Sequence, residues 1–134
     1  MKILLDTHAF LWWVVDDPRL SDTARTIIAD GNNDLFFSAA SGWEIGIKTG
    51  LGRLELPSNL NEYIVDQLEK NAMIVLPIQL SHALHVTQLP DHHKDPFDRM
   101  LISQSHVEGM TLISADQIIK KYDMMYKNIL SGIK

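Results

Sequence analysis

Asp6, Glu44, Asp98 and Asp116 are the residues of this chain whose type and position invite chemistry. Asp6 closes the apolar run at residues 3–5, and Asp116 follows the apolar run at 110–113. Glu44 lies just inside the helix expected after the run at 35–39. Asp98 lies near the start of the helix opened by Asp95 and Pro96. In an open α/β sheet, ligands bind where strand ends and helix starts gather. Four carboxylates at one such edge repel one another unless they are protonated or a cation neutralises them. Mg²⁺ and Mn²⁺ are hard ions that take carboxylate and water oxygens. A carboxylate-bound Mg²⁺ that keeps several waters is a common device for phosphate chemistry. Mg²⁺ (or Mn²⁺) is therefore the expected cofactor.

Each acid also has a purely structural explanation. Ser41-Gly42-Trp43-Glu44 fits a capping box, in which the glutamate reaches back to the cap. Glu44 can instead pair with Lys48, one turn further on. Asp95 fits an N-cap followed by proline at the first helical position, which leaves Asp98 to complement the helix dipole. Asp6 and Asp116 can each cap the helix that follows. For one acid alone the cap is the better explanation. Four caps need not point at one place, and the conjunction favours a shared site.

The elements that must position these acids alternate between short β-rich runs and helical stretches, the pattern of a parallel α/β sheet. Strands are expected at 3–5, 35–39, 73–78 and 110–113, with a weak edge strand at 125–130. Helices are expected at 7–15, at 22–30 with Ser21 as cap, and from Ser41 with Trp43, Ile47 and Leu51 on one face. Further helices are expected around Leu60, Ile64 and Leu68, and at 81–89, 96–107 and 117–122. Right-handed crossovers then put helices on both sheet faces.

With 134 residues, 46% apolar and 22% charged, the chain fits one globular domain spanning 1–134. It has no cysteine, which excludes disulfides, thiolate metal sites and a cysteine nucleophile. Its formal charge of −5 argues against nucleic-acid binding by a broad basic face. No apolar stretch approaches the roughly 18 residues of a membrane span. Asp6 and His8 break up the apolar start, so a cytoplasmic protein without a membrane role is expected.

At the acidic positions the sequence resembles a PIN domain, and specifically a toxin of the VapC family. Ile3-Leu4-Leu5-Asp6-Thr7-His8-Ala9-Phe10-Leu11-Trp12-Trp13 resembles the start of one VapC-like subgroup. Ser38-Ala39-Ala40-Ser41-Gly42-Trp43-Glu44-Ile45 matches the second block of the family. His93-Lys94-Asp95-Pro96-Phe97-Asp98-Arg99-Met100-Leu101-Ile102 matches the third, and Leu112-Ile113-Ser114-Ala115-Asp116 the fourth. Ser103 and Ser105 depart from the usual alanines, and Asp123 from a glycine that often precedes the last strand. The resemblance implies a three-layer α/β/α fold with a central parallel sheet of four to five strands. It implies a metal-dependent endoribonuclease that leaves 5′-phosphate and 3′-hydroxyl ends. The acids at Asp6, Glu44, Asp98 and Asp116 would bind Mg²⁺ or Mn²⁺. The implied partners are an RNA substrate, a cognate antitoxin and a second copy in a homodimer.

Other polar residues take lesser parts. Thr7 and Ser114 carry hydroxyls that can orient a carboxylate or a bound water. Asp95 stands open between helix cap and auxiliary acid. Lys48 and Arg99 sit beside acidic candidates, and each can either contact RNA phosphate or pair with a carboxylate. The pair His92-His93 reads as a solvated loop, and His8 as a packed or capped residue. Phe10, Trp12 and Trp13 are expected in the core before an interface. The alternative function is a non-catalytic module of the same fold that holds RNA or protein.

Overall fold

The computed structural model describes residues 1–57, 59–91 and 94–114. Asp116, the helix expected at 117–122, the strand expected at 125–130 and the pair His92-His93 lie outside them. Among the described residues the chain runs β1 (Lys2–Leu5), α1 (Thr7–Val14), α2 (Asp22–Ala29), β2 (Asp34–Ser38) and α3 (Ala39–Gly50). It continues through α4 (Leu60–Lys70), β3 (Met73–Leu76), α5 (Leu80–Val86), α6 (Pro96–Glu108) and β4 (Thr111–Ile113). No described helix is long and apolar enough to cross a membrane.

The four described strands form one parallel sheet in the order β3-β2-β1-β4. In its register Leu5 lies opposite both Phe37 and Ile113. The residues that leave those strands, Asp6, Ser38 and Ser114, therefore emerge at one level of one edge. The Asp6 N–H extends the ladder to the Ile113 carbonyl at 3.0 Å.

A parallel sheet buries both faces, and alternate side chains serve opposite layers. Ile3, Leu5, Leu35 and Phe37 pack with Phe10 of α1, Ile28 of α2 and Ile45 of α3. Trp12, Trp13 and the α4 stripe of Leu60, Ile64 and Leu68 lean on that core, partly buried. Leu4 and Leu76 face the other way, onto Leu101 of α6 and Met110. Pro77 follows β3 directly; without an N–H it cannot extend the ladder, and the strand ends two residues before the expected limit. Gly109, at φ +65°, closes α6 in the left-handed conformation that glycine adopts at little cost.

The stripe Trp43–Ile47–Leu51 does share one face of α3, and that face is turned outward. Trp43 is 65% exposed and Leu51 62%. The residues α3 buries include Ala40, Ser41, Glu44 and Ile45.

Candidate active site

Asp6 leaves β1 in extended geometry and caps α1, its carboxylate accepting the Ala9 N–H at 2.6 Å. It is only 3% exposed. Burial is the main cause of a pKa raised above the ordinary aspartate value. Hydrogen bonds from Ser114 and the Ala9 N–H, together with His8, oppose that rise, while the charge on Glu44 adds to it.

Glu44 reaches the same edge from α3 and is also 3% exposed. Thr7 Oγ1 donates to Glu44 Oε1 at 2.6 Å, across 37 residues of sequence. Lys48 Nζ donates to Oε2 at 2.7 Å, as the i,i+4 spacing allows. Ser41 Oγ lies 2.9 Å from Thr7 Oγ1. The Thr7 proton is committed to the carboxylate, so Ser41 donates to Thr7.

The capping box expected at Ser41–Glu44 does not form. Ser38 caps α3 instead, its hydroxyl accepting the Ala40 N–H at 3.0 Å. Ser38 already has the extended backbone of β2, so the strand passes directly into the helix. Ser41 and Glu44, three residues apart, then share the helix face that meets Thr7.

Asp98 lies in the first turn of α6. Asp95 caps that helix, accepting the N–H groups of Phe97 at 2.9 Å and Asp98 at 3.1 Å. The Phe97 ring packs edge-on against Trp43, with centroids 5.2 Å apart. The start of α6 thus sits beside the turn of α3 that carries Glu44. The structure brings Asp6, Thr7, Glu44, Lys48 and Ser114 together and places Asp95 and Asp98 on the adjoining helix start. Among the described residues, no three His, Asp or Glu side chains are arranged to hold one metal ion. Mg²⁺ commonly takes only one or two protein carboxylates and keeps waters elsewhere. The buried oxygens of Asp6 and Glu44 fit that donor set.

A cleft of about 460 Å³ opens alongside, lined among others by His8, Trp12, Arg19, Lys48 and Arg53. Sequence spacing gave no sign of Arg19 or Arg53, because α1, α3 and the loops after them meet only in the folded chain. Arg19 is held by Asp17 at 2.8 Å and lies over the Trp12 ring.

A sequence profile of the PIN domain matches residues 3–124. The chain belongs to the PIN domain family. Ribonuclease VapC16 of Mycobacterium tuberculosis (strain ATCC 25618 / H37Rv) is 35% identical over 72 residues. That alignment covers 51% of each protein, so the chain spans about half the length of this curated relative. Among solved structures, VapBC2 from Rickettsia felis, bound to a DNA fragment from its promoter, superposes with a TM-score of 0.66. The match covers 91% of this chain and 93% of that one, at 12% identity. FitAB bound to an IR36 DNA fragment gives a TM-score of 0.59 over 90% of both chains, at 17% identity. At such identities the likeness is one of fold, and it agrees with the parallel sheet and flanking helices described above.

Within this PIN domain, Arg99 also bridges two helices. Its guanidinium donates to the carbonyls of Val86 at 3.0 Å and Pro90 at 3.1 Å, tying α6 to the end of α5. Trp13 Nε1 donates to Asn71 Oδ1 at 2.9 Å, so its polar edge is used inside the fold.

Proposed function

We propose that this PIN domain is a Mg²⁺- or Mn²⁺-dependent endoribonuclease, the toxin of a cytoplasmic toxin–antitoxin pair. The observation that carries this reading is the Asp6–Glu44 pair. Two carboxylates are almost wholly buried at the end of a central strand, with one partly exposed lysine as counter-charge. Burying like charges costs free energy that apolar residues would not. A divalent cation removes that cost.

In this reading Asp6 and Glu44 hold the cation, with Asp98 and Asp116 completing the acidic set and Asp95 keeping the α6 start in place. The cation, when bound, would acidify a water and offset charge developing on the phosphate. Thr7 fixes one oxygen of Glu44 and Ser114 restrains the Asp6 carboxylate, so both acids are oriented before substrate arrives. Lys48, at the rim of the site, meets the phosphate backbone together with Arg53 in the adjoining cleft. A few well-placed cations suit a chain of net charge −5 better than a broad basic face. The likeness to a VapC ribonuclease supports RNA as the substrate. The VapBC2 and FitAB assemblies support a cognate antitoxin, and we extend the reading to a homodimer.

The test is to map new ends in total cellular RNA after incubation with purified protein and Mg²⁺ or Mn²⁺. Discrete 5′-phosphate ends that vanish with chelator and with Asp98→Asn are expected. No new ends from folded, metal-replete, antitoxin-free protein would replace the enzyme by a binding module of the same fold.

A further inference from the structure

Behind the acidic edge lies a second buried polar group that the reaction does not use. Gln104 of α6, His82 of α5 and Ser38 at the end of β2 are all fully buried. Ser38 Oγ donates to Gln104 Oε1 at 2.6 Å, across 66 residues of sequence. Gln104 Nε2 donates to the Pro77 carbonyl and to His82 Nδ1, each at 3.3 Å. His82 Nδ1 also accepts the Gln79 backbone N–H at 3.0 Å, so it is the unprotonated nitrogen. The other nitrogen, Nε2, then carries the proton and donates to Glu108 Oε1 at 3.1 Å. Ser103 donates to the His82 carbonyl at 2.6 Å.

This arrangement has a direction. Each polar atom of the Gln104 amide has a partner, and flipping the amide would set its oxygen against two acceptors, the Pro77 carbonyl and the unprotonated His82 nitrogen. The amide therefore fixes where Ser38 Oγ lies. Ser38 is the cap of α3, and its oxygen also accepts the Ala40 N–H. One turn further along stands Ser41, and after it Glu44, both meeting Thr7. An apolar side chain of equal volume at 104 would fill the space without fixing the direction of the cap.

We propose that Gln104 is a positioning residue for the acidic site. Held by His82 and the Pro77 carbonyl, it anchors the Ser38 cap and so sets the reach of Glu44 toward the cation. The inference rests on the metal-dependent reading above and names a residue that touches neither metal nor RNA.

The test measures Mn²⁺ binding directly, by electron paramagnetic resonance of the free ion, alongside RNA cleavage as a function of Mg²⁺. The proteins are the wild type, Gln104→Met, Ser38→Ala, the double variant and Ile28→Ala. The last truncates the core on the other face of the sheet. Gln104→Met should weaken Mn²⁺ binding roughly 2- to 30-fold, the range for residues coupled to a site through a network. The Mg²⁺ needed for half-maximal cleavage should rise by the same factor, with the rate at saturating Mg²⁺ recovering most of the wild-type value. Ser38→Ala should act alike, and the double variant should be no worse than the weaker single. Ile28→Ala should lose stability and keep its Mn²⁺ affinity. Folded Gln104→Met with wild-type Mn²⁺ affinity overturns the proposal, as does an equal loss in Ile28→Ala. If Gln104→Met fails to fold, Ser38→Ala decides by the same criteria. A wild type that binds no Mn²⁺ overturns the metal-dependent reading itself, and the positioning role with it.

Discussion

Two buried polar clusters sit on either side of the strand-to-helix turn at Ser38, and they are built on opposite principles. The Gln104–His82 cluster pairs its donors with acceptors and keeps its only carboxylate, Glu108, at its partly exposed rim. The Asp6–Glu44 cluster buries two carboxylates near each other, and one of them has its proton affinity raised by that burial. A satisfied network gives direction at modest cost, whereas buried charge that is only partly compensated weakens a fold unless something binds there. The first cluster is satisfied within the fold; in the proposed reading the second takes charge of the opposite sign.

The comparison breaks most visibly if the acids prove dispensable. Asp6→Asn or Asp98→Asn should lower RNA cleavage by about 10³-fold or more, since a catalytic cation contributes several kcal/mol. A mutant that cuts at the wild-type rate while keeping its circular-dichroism spectrum would remove that acid from the site. Mg²⁺ should next stabilise the folded chain by about 2.7 kcal/mol at a hundred times its Kd. Thermal melts with Mg²⁺ and with chelator check this, and coincident melts would deny that the acids share a cation. Thr7→Val removes the hydroxyl that orients Glu44 and should weaken metal binding about 10- to 100-fold. The matching change in the other cluster, Ser103→Ala, deletes a bond to a backbone carbonyl and should leave metal affinity unchanged within the error of a titration.

The smallest effect is one of pH. The native pKa of Asp6 lies above its ordinary value of 3.8, with burial the leading cause. Its stabilising contribution in metal-free protein is therefore complete below pH 3.8 and fades as pH rises through the elevated native value. Urea titrations in chelator should show Asp6→Asn gaining on the wild type as pH rises above about 4. A difference between the two that does not vary with pH would mean that Asp6 is not held as a disfavoured charge.

Much of this arrangement was legible along the chain because it is local. Asp6 caps α1, Ser21 caps α2 and Asp95 with Pro96 opens α6, each by a bond reaching only two or three residues. The Glu44–Lys48 pair follows from helix spacing alone. The apolar strands and the acids after them follow from pattern. At Ser41 a plausible capping box lost to a serine three residues earlier, because the extended end of β2 had already supplied a cap.

Among the described residues, what the sequence determined by itself was which segments are strands and helices, and that Asp6, Glu44 and Asp98 stand at their junctions. Only the tertiary structure decided that β1 lies between β2 and β4, which brings Asp6, Ser38 and Ser114 to one level. Only it decided that Thr7 meets Glu44 and Gln104 meets Ser38, 37 and 66 residues apart. It also decided that α3 turns Trp43 and Leu51 to solvent and Glu44 inward. The physical reason is that periodicity marks a stripe on a helix without naming what the stripe faces. Hydrogen bonds across tens of residues depend on strand order and helix packing, which local spacing does not encode.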